Sequence, residues 1–387
     1  MIPTAAYIHV PFCASRCSYC DFYSLRPRAE AFQRYTQAVC LEIRAEAAAT
    51  VQQNGATAPL KSCYFGGGTP SFLPLSALEE IMDTLRRSFS FDAEAEITLE
   101  ANPAKNLPAR LPALRQMGFN RLSLGLQSAD NRLLQRLGRI HTREDFAESL
   151  RAAREAGFDN ISSDLIFALP GQSLESFAEE VEWLLQFQLE HLSFYSLQLE
   201  EGTPLAAEMA RDSSELPGED EERAMYHSLR RRLSQSGLFP YEISNAARPG
   251  FASRHNLVYW NALPYYAFGP AAASYTAGVR RHNPEDFELW EQKVLAAGET
   301  QAHAAAIEDE TIDRASEQAE YVMLRFRLTE GLSFKAYHER FGEEPQLRFA
   351  GAFSRLQERG LLQKTPEGLA LSELGLDLAN QVMLEFV

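Results

Sequence analysis

The chain has 387 residues, long enough for two or three domains, and 45% hydrophobic with 23% charged residues is the composition of an ordinary globular protein. A formal net charge of −16 argues against nonspecific binding to nucleic acid or to an anionic membrane surface, since both would repel the chain. No apolar run approaches the ~20 residues that a bilayer span needs, and MIPTAAYIHVPF lacks the basic flank and cleavage site of a secretory signal, so a cytoplasmic location is expected.

In chain order, short β-branched or aromatic runs alternate with amphipathic helical stretches. Strands are predicted at Ala6–Val10, Ser62–Phe65, Glu96–Glu100, Arg121–Leu124, Asn160–Ile166 and His191–Leu197. Helices are predicted between them at about 29–53, 75–88, 108–116, 143–156 and 174–188, each long enough for a crossover. This alternation implies an α/β fold with a parallel sheet, and six units suggest a partial or full barrel. After Leu199 the rhythm breaks. An acidic, Gly- and Pro-rich stretch over 200–218 leads to a helix at about 219–236 and an aromatic-rich segment over 240–282. From Glu308 onward, helices at about 310–328, 333–341 and 346–359 precede Leu361–Leu362, a turn at Pro366–Gly368 and Leu369–Leu371. That pattern resembles a small, mostly helical winged-helix module, which in so acidic a chain does not read as DNA-binding. The expected division is 1–235, a connecting segment over 236–305, and 306–387.

The opening run HVPFCASRCSYC carries three of the five cysteines, Cys13, Cys17 and Cys20. A cytoplasmic chain keeps thiols reduced, so clustered cysteines point to a metal and not to disulfides. Zinc sites pair one C-x-x-C with a second, distant pair, whereas Cys40 and Cys63 lie singly in a helical pattern and a strand and read as apolar packing. A four-iron cluster takes one thiolate per iron, so three cysteines leave one iron open to a small molecule.

C-x-x-x-C-x-x-C after a first barrel strand, with Tyr19 before the last cysteine, resembles the radical SAM superfamily. The resemblance implies a [4Fe–4S] cluster on Cys13, Cys17 and Cys20, with S-adenosylmethionine (SAM) chelating the open iron. The fold it implies is a partial (β/α)6 TIM-like barrel. YFGGGTPSFL after the second strand is similar to that family's glycine-rich segment, which carries over Gly66, Gly67, Gly68 and Thr69 as SAM contacts. Glu100 in ITLEANP, Gln127 in RLSLGLQS, Arg139 in LGRIHT and Asp164 in SSDLIFALPGQS each stand at a strand end. Alone, each is more often a satisfied polar group. In this order they resemble the SAM-contacting set of the anaerobic coproporphyrinogen III dehydrogenases and their relatives, as does YIHVPFC with Tyr7 and His9.

Departures separate the members of that group. The dehydrogenases carry a further cysteine in C-x-C and a longer N-terminal extension, whereas this chain has Phe22 at that position and Tyr7 six residues from its start. RHNLVYW instead resembles the HNxxYW signature of the HemW family of haem chaperones, implying haem contacts by His255, Asn256, Tyr259 and Trp260. Histidine is a common axial ligand of haem iron, and aromatic rings stack on porphyrin faces. The expected cofactors are thus a [4Fe–4S] cluster, SAM and haem, and the expected partner is a haem-accepting respiratory protein, with any membrane contact peripheral and made through that acceptor. The alternative is an oxygen-independent coproporphyrinogen III dehydrogenase acting by oxidative decarboxylation. YYAFGPAAASYT also departs from the relatives' G-x-G-A turn, because Pro270 fixes φ and Ala271 resists the left-handed conformation, so a reshaped loop is expected there.

Overall fold

The computed structural model describes residues 1–386; residue 387, the last of the expected C-terminal domain, lies outside the described residues. Strands β1 (Ala5–Val10), β2 (Leu60–Gly67), β3 (Phe91–Ala101), β4 (Arg121–Gln127), β5 (Asn160–Phe167) and β6 (His191–Ser196) lie side by side in chain order, all parallel. Between them run α1 (Ala29–Asn54), α2 (Leu75–Ser88), α3 (Leu111–Gln116), α4 (Asn131–Arg136), α5 (Arg143–Glu155) and α6 (Leu174–Leu185). Helices cover the outer face and side chains fill the inner one, which is why β4 and β5 read as nearly continuous buried runs. Ile8, Phe65, Leu99, Leu122 and Leu165 are among the fully buried residues of this core. Local signals set the helix starts. Thr142 with Asp145, and Ser173 with Ser176, form reciprocal capping boxes at α5 and α6.

After α7 (Pro204–Met209) and α8 (Glu219–Gln235), the segment expected to be a connector adds three strands to the same sheet. They are β7 (Phe239–Pro240), β8 (Asn245–Ala247) and, beyond α9 (Arg254–Trp260), β9 (Tyr266–Phe268). The order β7-β8-β6-β5-β4-β3-β2-β1-β9 leaves two free edges, so the six-unit barrel stays open. Strands of two or three residues show too little alternation to be read from sequence.

A second, antiparallel sheet holds β10 (Ala273–Thr276), β11 (Val279–His282) and β12 (Glu308–Thr311), with α10 (Phe287–Ala297) packed on α1. Because β12 occupies 308–311, the helix expected from 310 begins later, as α11 (Arg314–Arg325). Then follow β13 (Leu332–Ser333), α12 (Phe334–Phe341), α13 (Pro345–Arg348), α14 (Ala350–Glu358), β14 (Leu362–Lys364) and β15 (Gly368–Leu371). Helix, strand, three further helical segments and two strands in that order give the winged-helix-like arrangement, with its own core around Phe326, Tyr337, Phe353 and Phe386. Arg325 and Arg340 tie it to the turn after α9, donating to Asn261 Oδ1 (2.5 Å) and to the Asn261 carbonyl (2.9 Å).

A cysteine-rimmed pocket at the carboxyl ends of the strands

The chain leaving β1 makes a closed loop. Leu25 N–H donates to the Pro11 carbonyl (2.6 Å), and Cys13 N–H donates to the Leu25 carbonyl (3.0 Å). The middle is pinned at Ser18, which donates N–H to Leu137 O (2.9 Å) and accepts from Leu205 N–H (2.9 Å). This brings Cys13, Cys17 and Cys20 onto one cavity of about 450 Å³, at the carboxyl ends of the strands where parallel βα sheets collect their ligands. All five cysteines are free, and Cys40 and Cys63 are buried in the core. Among the described residues no three His, Cys, Asp or Glu side chains converge on a point where one metal ion could sit. Three separated thiols suit a cluster that takes one sulfur per iron better than a single zinc ion.

Gly67, Gly68 and Thr69 wall the cavity beside the cysteines. Gly67 has φ +102°, and a Cβ there would stand 2.6 Å from His9 Cε1. At Gly68 it would meet the Phe12 carbonyl at 2.8 Å, so neither position has room for a side chain. Two carboxylates form the floor. Tyr64 OH donates to Glu100 Oε1 (2.7 Å), and burial pushes the Glu100 carboxyl up to about 7, with the Tyr64 and Gly67 donors opposing and the Asp164 charge adding. Burial also raises Asp164, against hydrogen bonds from Ser193 and Ser123 and the charges of Arg121 and Arg139. Arg121 lies buried behind both; burial disfavours its charge, and the nearby carboxyl groups of Glu96 and Asp164 favour it.

Arg139 closes the cysteine side. It donates to Asn102 Oδ1 (2.6 Å), to the Gly125 carbonyl (2.7 Å) and to Cys17 Sγ (3.6 Å). Its Nε is buried without a partner among the described residues. A guanidinium with a spare donor among thiols calls for an anionic guest. With two carboxylates facing it across the cavity, the lining complements a zwitterion and a negatively charged cluster, so the residues present fit both SAM and [4Fe–4S].

The structure brings together Tyr19, Gly67, Gly68, Thr69, Glu100, Gln127, Arg139, Asp164 and the three cysteines around this one cavity. Tyr7 and Gly66 lie one layer beneath it. Tyr7 OH bonds His9 Nδ1 (3.1 Å) and its ring stacks on Tyr64, and a Cβ on Gly66 would touch Tyr64, Tyr7 and Glu100. Sequence reading missed Asn102, Arg121 and Ser193. Only Asn102 carried a signal, standing two residues after Glu100 in the same motif.

The HNLVYW segment is placed differently from expectation. It forms α9, of which only Asn256 reaches the cavity. His255 is 1% exposed, with Nδ1 bonded to Ser62 Oγ (3.0 Å) and Nε2 to Tyr259 OH (2.9 Å), and its ring stacks on Tyr64. Burial, aided by the Arg121 charge, lowers its pKa to about 3, so the ring is neutral. Tyr259 stands edge-on to Tyr265, and Trp260 lies under the Arg327 guanidinium at 4.2 Å, against the C-terminal domain. His255, Tyr259 and Trp260, expected as haem contacts, thus lie outside the lining of the cavity, which Asn256 alone of the four reaches. His255 and Tyr259 are hydrogen-bonded to each other and Trp260 packs against Arg327, so α9 links the floor of the cavity to the winged-helix-like domain.

Residues 7–184 match the family model of the radical SAM superfamily, and residues 312–378 match that of the HemN C-terminal domain. The heme chaperone HemW of Lactococcus lactis subsp. lactis is 31% identical over 385 residues, covering 100% of this chain and 97% of that protein. The heme chaperone HemW of Bacillus subtilis is 33% identical over 99% of both. The chain belongs to the HemW family. The same family resemblance extends to the mitochondrial radical S-adenosyl methionine domain-containing protein 1 of Bos taurus, 33% identical over 99% of this chain and 87% of that one. Coproporphyrinogen III oxidase (HemN) from Escherichia coli superposes with a TM-score of 0.85 over 100% of this chain and 90% of that one; at 23% identity the likeness is one of fold. HemW membership agrees with Phe22, which at the rim of the cavity is 64% exposed where the C-x-C pattern would place a thiol.

Proposed function

We propose that this protein is a haem chaperone, which binds haem and passes it to an acceptor haem protein, respiratory by family resemblance, on a radical SAM scaffold. The observation that carries the reading is correspondence along the whole chain, through both matched domains, with proteins named as heme chaperones. Two aromatic faces at the cavity mouth, Phe22 at 64% and Tyr195 at 45% exposure, support it, since exposed rings of this size suit a flat, largely apolar ligand. A cytoplasmic site of action is part of the proposal; no helix of the described residues is long and apolar enough to cross a membrane.

Cys13, Cys17 and Cys20 would hold the [4Fe–4S] cluster, and the lining from Gly67 to Asp164 would hold SAM. When bound, the pair would supply one-electron chemistry at this cavity. The chain's own residues prepare the place. Glu100 and Asp164 present carboxyl oxygens to a cationic or hydrogen-bond-donating group, Arg139 presents positive charge to an anionic one, and the bare backbone at Gly67 and Gly68 allows close approach. The test is an anaerobic titration of haem into cluster-reconstituted protein, with Phe22→Ser alongside and coproporphyrinogen III as a competing assay. Saturable binding near one haem per chain, weakened in the variant and without loss of coproporphyrinogen, is expected. Decarboxylated product with no haem binding overturns the proposal.

A further inference from the structure

Two of the three cysteine sulfurs are joined by a hydrogen-bonded chain that passes through Asn102, at the end of β3. Cys13 Sγ lies 3.4 Å from Thr69 Oγ1, Asn102 Nδ2 donates to Thr69 Oγ1 (3.0 Å), Arg139 donates to Asn102 Oδ1 (2.6 Å) and also to Cys17 Sγ (3.6 Å). The direction of every link follows from chemistry. A guanidinium only donates, so the amide must turn its oxygen toward Arg139 and its nitrogen toward Thr69. Nδ2 also only donates, so the Thr69 oxygen accepts from it and its hydroxyl hydrogen is left for Cys13 Sγ. Asn102 thus sets both ends of the circuit. The amide is the only common side chain of its size that can accept at one end and donate at the other. Cys20 stands outside, meeting the backbone N–H of Phe22 instead.

We propose that Asn102 is a positioning residue for the cluster: by fixing one donor on Cys13 and one on Cys17, it sets the reduction potential of the [4Fe–4S] centre. The inference rests on the reading that Cys13, Cys17 and Cys20 carry that centre. Donors to ligating sulfur stabilise the extra negative charge of the reduced cluster, and their loss lowers the potential.

The test is a dithionite titration of reconstituted protein without SAM, followed by electron paramagnetic resonance, with iron content measured in each sample. Asn102→Leu, neutral and close in volume, frees the Thr69 hydroxyl and removes one of the two acceptors, beside the Gly125 carbonyl, that direct the Arg139 guanidinium. A hydrogen bond of ordinary strength gives roughly a tenfold fall in the reduction equilibrium, about 59 mV for one electron. Thr69→Val removes the Thr69 donor to Cys13 while leaving that of Ser24, and is expected to move the potential the same way by no more. Because both changes break the same link, the double variant falls short of the sum of the two. An unchanged potential in Asn102→Leu at four irons per chain overturns the inference while leaving the cluster assignment intact. If Asn102→Leu does not fold, an unchanged potential in Thr69→Val overturns it equally. A wild-type protein that takes up no four-iron cluster overturns the assignment and the inference together.

Discussion

Replacing His255 with alanine should remove a large share of the apo-protein's stability, before any question of haem arises. The ring is 1% exposed and stacked on Tyr64, whose hydroxyl holds Glu100 in place. Removing it leaves a cavity, and large-to-small changes in cores of this kind destabilise by about 2–4 kcal/mol. It also orphans Ser62 Oγ and Tyr259 OH, each left unsatisfied at about 1–3 kcal/mol. These effects share neighbours and do not add fully, so about 4–6 kcal/mol is expected, against a total stability of about 5–15 kcal/mol. Urea denaturation followed by circular dichroism at pH 7.5 measures this directly, with His255→Gln, which keeps one donor and one acceptor, losing less. The pH dependence gives a second reading. With its folded pKa lowered to about 3, the neutral ring contributes stability that is present above the unfolded value near 6.5 and is lost as the pH falls toward 3. His255→Gln should therefore show a shallower decline over that window. A His255→Ala protein within 1 kcal/mol of wild type would refute the structural role and return the ring to the pool of free ligands. Until that value is known, loss of haem binding in an alanine variant is no evidence for iron ligation.

Cys13→Ser, Cys17→Ser and Cys20→Ser should each fail to reconstitute a four-iron cluster, seen as loss of the charge-transfer absorbance and of iron stoichiometry, whereas Cys40→Ala and Cys63→Ala should reconstitute normally. Gly67→Ala meets both a left-handed φ and the His9 ring at 2.6 Å, so it should lose about 2–4 kcal/mol and SAM binding together, read by thermal unfolding and by isothermal titration. Glu42 accepts from Gly269 N–H (2.8 Å) and Asn283 Nδ2 (2.6 Å), and burial pushes it up to about 7. Its contribution is present below the unfolded value near 4.5 and is lost as the pH rises through 7, so Glu42→Gln should remove roughly 2 kcal/mol of that decline in denaturation curves taken across pH 4.5–8. In the departed loop, Ala271 adopts φ +60° despite its Cβ, and Ala271→Gly should raise stability by up to about 1 kcal/mol, visible as a higher thermal midpoint.

The parts of this site that were legible in the sequence share a physical property: their chemistry depends on residue type and local spacing. Three thiols at C-x-x-x-C-x-x-C, bare glycines after a strand, and single polar residues closing hydrophobic runs all announce themselves within a few positions, and the structure sets Glu100, Gln127, Arg139 and Asp164 around the same cavity. Asn102 and Arg121 differ, because what they do is fixed by partners far away in the chain. Arg121 opens β4 and looks like any strand-end charge until Glu96 and Asp164 are found around it. Asn102 looks like a turn residue until Thr69 and Arg139 appear at its two ends. The HNLVYW segment shows the converse hazard. An imidazole flanked by aromatics is equally the composition of a haem slot and of a satisfied, stacked core, and the contacts that Ser62, Tyr64 and Arg327 make with these side chains come from distant parts of the chain. Because α9 touches the cavity through Asn256 and the winged-helix-like domain through Trp260, substitutions along it will disturb both at once, and a motif can be retained for that mechanical link as readily as for ligation.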